Sequence, residues 1–274
     1  RAPQHVLIRM KGKLKDIFNW LDCNAVTAIV AANIAMFAVV RLAILFGADP
    51  QSVVGAVAVY AQPLEMLRHP QGVLLYMFVQ FDFMHLMFNM LWLWAFGLLV
   101  KRLAVGGAQV ALAYGAGGMA GALVFVAMGA AGLSQGMLVG SSAAVLGLVC
   151  YVSLRRDVKV TLMLIGAVRL RWLAVFVVAL TLLSTATAGL WSETVSHAAG
   201  ALAGVVMAMA ESRRHSGRMR SAVRRQFSHN NAMGTRLSVQ ENAELDELLL
   251  YVRDHGYNAL SSAERSRLFQ LTRK

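Results

Sequence analysis

Six long apolar blocks dominate the chain and set what it can fold into. They run roughly over 25–46, 73–100, 103–130, 137–154, 172–190 and 195–210. Each meets or approaches the about 17–25 residues that a helix needs to cross about 30 Å of hydrocarbon. No water is available at that depth, so the backbone must satisfy its own hydrogen bonds, and the blocks are expected to be helices. Composition agrees. Of the 274 residues, 58% are hydrophobic and 15% charged, against roughly 25% charged in an average soluble domain. The expected class is an all-α, polytopic membrane protein with six transmembrane helices.

The basic residues give the orientation. Of the 26 Lys and Arg residues, all but Arg41 and Arg68 fall in the N-terminal segment, the connections after blocks two and four, or the tail after block six. With six spans these lie on one side, and both termini are expected to be cytoplasmic. The net charge of +12 is thereby explained by topology and by attraction to anionic lipid headgroups, with no nucleic acid required. The expected organisation is a basic N-terminal segment over 1–24, a transmembrane domain over 25–211, a basic flexible linker over 212–241 and a cytoplasmic helical hairpin over 242–274. In the hairpin, Leu245, Leu248, Leu249 and Val252 share one face. Gly256 is expected to stop the first helix, and Ser261 with Glu264 forms a capping box for the second. The longest outer connection, 47–72, is expected to be partly helical and to lie at the interface. The stretch 158–171 is expected to lie at the inner interface. Cys23 and Cys150 are expected to be isolated thiols. No metal-ligand pattern occurs, and no cofactor is implied.

Polar side chains inside the blocks are costly, and they narrow the function. Block two carries His85 and Asn89, block four Ser141 and Ser142, block six Ser196 and His197. Measured from Lys101 at about 1.5 Å per residue, His85 lies at about 24 Å and Asn89 at about 18 Å. Ser142 lies about 20 Å from Arg155, and His197 about 21 Å from Glu211. Three helices thus place polar groups at one level. Serine becomes a nucleophile when a base takes its proton, and histidine is the usual base. His197 can serve Ser142 if blocks four and six pack together. Gly200 and Gly204 form a GxxxG that permits such close packing, with Gly147 as a candidate partner surface. His85 and Asn89, spaced i, i+4, share a helix face and can donate to a developing oxyanion. Ser142 lies near a helix N-terminus, where free N–H groups are available. No intramembrane carboxylate is evident to orient His197, so a dyad is expected rather than a triad.

Three segments resemble the rhomboid family of intramembrane serine proteases. His85-Leu-Met-Phe-Asn89, continuing to Gly97, is similar to its HxxxN helix. Gly140-Ser141-Ser142 is similar to its GxS motif. Ser196-His197-Ala-Ala-Gly200-Ala-Leu-Ala-Gly204 is similar to its AHxxGxxxG helix. The tail resembles C-terminal segments of some bacterial members, particularly from the Bacteroidetes. The resemblance implies a six-helix bundle in a bacterial inner membrane that hydrolyses peptide bonds in or near transmembrane segments of membrane-protein substrates. Ser142 would be the nucleophile and His197 the base. His85, Asn89 and the Ser142 N–H would form the oxyanion site, with Gly140, Gly200 and Gly204 packing around it. Outer loop one would lie partly in the membrane, and span five would gate substrate entry. Ala143 stands where the family usually has Gly, and Leu146 where an aromatic is common. These leave open a non-catalytic rhomboid-like protein that binds or escorts membrane clients.

Overall fold

A computed structural model describes residues 2–103, 105–155, 158–162, 166–232 and 238–273. The chain divides into two compact units, 1–211 and 212–274. The first is built on helices α1 (Ala2–Leu45), α5 (Phe83–Arg102), α6 (Gly107–Ala130), α7 (Ser142–Ser153), α8 (Leu170–Thr187) and the part of α9 (Trp191–Ala232) up to Glu211. Between α1 and α5 come three short helices, α2 (Pro50–Gly55), α3 (Pro63–Arg68) and α4 (Gly72–Leu75), and strand β1 (Val59–Tyr60). Strand β2 (Met137–Leu138) precedes α7, and β3 (Lys159–Leu162) and β4 (Gly166–Arg169) lie between α7 and α8.

Five helices among the described residues are long and apolar enough to cross a membrane: Asn24–Leu45, Phe83–Val100, Gly107–Ala130, Leu170–Thr187 and Trp191–Arg214. The chain is therefore a multi-pass integral membrane protein. The first of them is the distal part of α1, beyond a break at Asn24, where φ is −128° and ψ is 19°. Large apolar side chains such as Leu42, Leu98, Leu112, Leu123, Leu183 and Leu202 are exposed on these helices. In water such a surface would drive association; facing lipid it carries no penalty. Trp172 and Trp191, exposed near opposite ends of α8, suit the two bilayer interfaces.

Block four is the departure. Its helix, α7, has only 12 residues and is about 18 Å long, too short to cross about 30 Å. Met137 and Leu138, expected within it, instead pair antiparallel with Tyr60 and Val59 of the long loop. Every residue of α7 is buried, because glycines let its neighbours close around it. A Cβ on Gly204 of α9 would lie 2.0 Å from the Gly147 carbonyl oxygen. One on Gly117 of α6 would lie 2.9 Å from the Gly147 Cα, and one on Gly200 2.4 Å from the Ala143 oxygen. Ala143 itself fits because Gly121 faces it: a Cβ at Gly121 would come within 2.7 Å of the Ala143 methyl. At the far end of α7 the flanking charges meet. Arg155 pairs with Glu211 at 2.9 Å, and Gln109 and the Tyr151 hydroxyl donate to the same carboxylate.

Block two also begins later than its hydropathy suggests. Residues 73–78 form α4 and a 3-10 turn that bury Tyr76 and Met77. Helix α5 starts only at Phe83, where the Asp82 carboxylate accepts from the His85 N–H at 2.9 Å, a side-chain cap. The connection 47–72 is partly helical, with Asp49 capping α2 through Ser52. Within the stretch 158–171, β3 and β4 pair antiparallel, with Lys159 opposite Arg169. Its β-branched residues favour strands, and Gly166 takes φ +84°. Arg41 is not left to the lipid: its guanidinium donates to the Phe81 carbonyl. Cys150 is a buried free thiol; the side chain of Cys23 lies outside the described residues.

In the second unit, the flexible linker expected over 212–241 is instead helical through Ala232, the end of α9. Its Arg, Met, Ala and Gln are good helix formers. Residues 233–237 lie outside the described set. Helices α10 (Val239–His255) and α11 (Ser262–Arg273) bury Leu245, Leu260, Leu268 and Leu271 together. Gly256 ends α10 at φ +85°, and Ser261 and Glu264 exchange the two bonds of a capping box at 3.3 and 2.7 Å. Arg267 grips Glu244 through two hydrogen bonds of 2.9 and 2.8 Å.

Candidate active site

The site is assembled where α5, α7 and α9 begin. Ser142 is the first residue of α7. It follows Gly140, whose φ of +132° is a conformation open to glycine. A Cβ there would stand 3.0 Å from the His85 Cε1, so Gly140 also makes room for the imidazole. The Gly140 N–H donates to the Tyr76 carbonyl at 3.0 Å, which ties the serine turn to the segment before α5.

His85 and Asn89 lie one turn apart in the first turns of α5. The His85 Nε2 is 3.0 Å from the Ser142 Oγ, and the His85 ring stacks on Phe81 with centroids 6.3 Å apart. Ser142, Asn89 and His197 are all buried, so none of the three presents its polar atoms to lipid. His197 sits one turn before Gly200, and Gly200 packs on the Ala143 backbone, the residue after the serine. The GxxxG contact therefore brings the start of α9 against the start of α7.

One expected contact is absent. No hydrogen bond joins Ser142 to His197 among the described residues; the hydroxyl is held by His85 instead. Among the described residues the buried His197 Nδ1 has no hydrogen-bond partner, so no carboxylate there orients the ring through it. Of the expected site residues, the structure thus joins Ser142, His85 and Gly140 directly. It brings Gly200 and Gly204 onto α7, and links Asn89 to a residue the sequence reading passed over.

That residue is Gln80. Its Oε1 accepts from the Asn89 Nδ2 at 3.0 Å. Its Nε2 donates to the Asn33 Oδ1 at 2.9 Å and to the Ser141 Oγ at 2.7 Å. The Asn33 Nδ2 donates in turn to the Ile29 carbonyl at 2.9 Å and the Tyr114 hydroxyl at 3.1 Å, and that hydroxyl donates to the Met77 carbonyl at 2.7 Å. A signal was present: Asn33 is the one carboxamide within the first apolar block, and a buried amide demands partners. Among the described residues no cluster of His, Cys, Asp or Glu is arranged to hold a metal ion.

A family model described as the Rhomboid domain matches residues 67–214, more than half of the chain. The protein belongs to the rhomboid family, whose members are generally intramembrane serine proteases and include non-catalytic forms. No curated protein matches the chain.

Proposed function

We propose that this protein is an intramembrane serine endopeptidase that cleaves membrane-protein substrates in or near their transmembrane segments. The observation that carries the reading is a buried serine hydroxyl, first in its helix, 3.0 Å from an imidazole and on the helix that packs against the His197 turn. Ser142 is the nucleophile and His197 the general base; His85, Asn89 and the Ser142 N–H stabilise the oxyanion.

The resting contact fits this division of labour. With no substrate bound, the hydroxyl rests on His85. A substrate carbonyl entering beside His85 and Asn89 takes that place, and rotation about the serine Cα–Cβ bond carries the Oγ between staggered wells toward His197. The Oγ–H proton passes to His197 as the Oγ–C bond forms. The oxyanion is met by preorganised donors. His197 then returns the proton to the departing amide nitrogen, and the C–N bond breaks. Water attacks the acyl-enzyme, giving its proton to His197; the C–Oγ bond then breaks as His197 returns that proton to the Oγ, which regenerates Ser142 and releases a new carboxyl terminus. Helix α8, which packs mainly on α7, is the element placed to admit a substrate helix. The distribution of Lys and Arg supports cytoplasmic termini and contact with anionic headgroups on that side; residence in a bacterial inner membrane rests on the resemblance of the motifs and tail to bacterial members.

Purified protein in liposomes, supplied with a reporter transmembrane segment, tests the reading. Ser142→Ala and His197→Ala are each expected to abolish cleavage with the unfolding midpoint retained, and a fluorophosphonate probe is expected to label only protein with Ser142. Cleavage by either folded variant refutes it. Failure of the folded parent to label or cleave favours instead a non-catalytic client binder. The Ser142–His85 contact favours one other assignment, with His85 as base; His85→Ala then abolishes labelling while His197→Ala spares it.

A further inference from the structure

The network around Gln80 has a direction that can be read from its fixed ends. A backbone carbonyl can only accept a hydrogen bond. The Met77 carbonyl therefore takes the proton of the Tyr114 hydroxyl. That hydroxyl has no other proton, so it accepts from Asn33. The Ile29 carbonyl also accepts from Asn33. Both facts require the Asn33 nitrogen to face these two groups, which turns its oxygen toward Gln80. Gln80 must then present its nitrogen to Asn33, and the same nitrogen serves Ser141. Its oxygen is left facing Asn89, and Asn89 must present its nitrogen. Two backbone carbonyls thus set the orientation of three successive carboxamides. The members are buried: Asn33 is 0% exposed, Gln80 3% and Asn89 7%. Inverting any one amide would leave buried like groups facing each other, which is expensive where water cannot intervene.

We infer that Gln80 is a positioning residue that fixes which end of the Asn89 amide faces the reacting carbonyl. The inference rests on the proposed role of Asn89 as an oxyanion donor. Asn89 has two N–H groups. One is spent on Gln80, and the other is held ready on the same nitrogen. With the amide inverted, its oxygen would stand beside the developing negative charge, and a stabilising contact would become a repulsive one. Gln80 touches no reacting atom in this scheme and acts through Asn89. Its anchor, Asn33, lies in the first spanning helix, outside the 67–214 segment that matches the family. That helix thereby acquires a part in setting the site's electrostatics as well as packing against α5 and α6.

The test is a double-mutant cycle in the full chain reconstituted in liposomes, with kcat and KM measured separately and unfolding midpoints recorded. Gln80→Met keeps the side-chain length and removes the polar atoms. Removing an oxyanion donor lowers kcat by about 100- to 1,000-fold, so Asn89→Ala is expected in that range. Gln80→Met in the parent is expected to lower kcat by about tenfold or more, with KM changed less than about twofold. In the Asn89→Ala background it should lower kcat by less than about twofold, since coupled residues are not additive. An equal loss in both backgrounds, no loss in the parent, or a loss confined to KM overturns the inference. Should Gln80→Met not fold, Asn33→Leu removes the acceptor that orients Gln80 and must give the same non-additive pattern; additive loss there overturns the inference equally. The two failures are separable. Cleavage by Ser142→Ala refutes the protease reading itself, whereas additivity with Ser142-dependent labelling intact refutes only the role of Gln80.

Discussion

Gly204→Ala is the sharpest test of how packing sets the chemistry, because the added atom is a single methyl far from any reacting group. The new Cβ would stand 2.0 Å from the Gly147 carbonyl oxygen and 2.8 Å from its carbon. These are backbone atoms of a buried helix and cannot swing aside like the end of a long side chain. Carbon and oxygen settle at about 3.3 Å or more, so α9 and α7 must part locally by about 1.3 Å. His197 rides on α9 about 10 Å along the axis from Gly204. Displacing a catalytic group by about 1 Å can lower a rate about 100-fold, and overpacking costs about 1–3 kcal/mol of stability. Reporter cleavage in liposomes should therefore fall by about two orders of magnitude, with a lowered unfolding midpoint, and fluorophosphonate labelling of Ser142 should slow in parallel. Gly115→Ala is the control: its Cβ meets nothing within 4 Å. That variant should keep its activity and gain slightly in helix stability. The reasoning fails if Gly204→Ala matches the parent in rate and stability, or if Gly115→Ala is equally damaging.

Other outcomes follow from the same geometry. Gly140→Ala adds a methyl 3.0 Å from the His85 Cε1 at φ +132°, so steady-state kinetics should show kcat lowered at least about tenfold. Ser261→Ala removes the cap of α11, and amide exchange there should quicken by an amount reflecting about 1 kcal/mol. The Glu244 carboxyl is held below its usual value of 4.5, chiefly by hydrogen bonding to Arg267. A carboxylate depressed in the folded state stabilises above its unfolded value, and that contribution is lost as pH falls through the folded one. Amide protection of α10 and α11 should therefore weaken below about pH 4.5, and Arg267→Gln should flatten that dependence.

The sequence disclosed the membrane class and the close-packed glycines because each follows from a local rule. Apolar length implies a helix in lipid, and GxxxG implies approach. It failed where a local rule had a rival. Hydropathy placed Val73 and Met137 in spanning helices, but the Asp82 cap starts α5 late, and Met137 finds a strand partner at Tyr60 that no window of sequence reveals. The i, i+4 spacing of His85 and Asn89 correctly put them on one face. Gln80 escaped notice because it stands five residues before His85 in a non-helical turn, and its partners come from α1, α5 and the turn before α7. A long-range amide network has no periodicity to detect. Ala143, a departure in the motif, needed the facing Gly121 of another helix to become intelligible.

The complete enclosure of α7 has a consequence for how the protein tolerates its surroundings. A helix that meets lipid nowhere is not held at a given height by the thickness of the hydrocarbon. Its height is inherited from the helices that wrap it, so thinning or thickening the bilayer is absorbed by tilt and by the outer faces of those wrappers. The serine therefore keeps its depth relative to its own scaffold, while the presentation of anything arriving from the lipid shifts with the membrane.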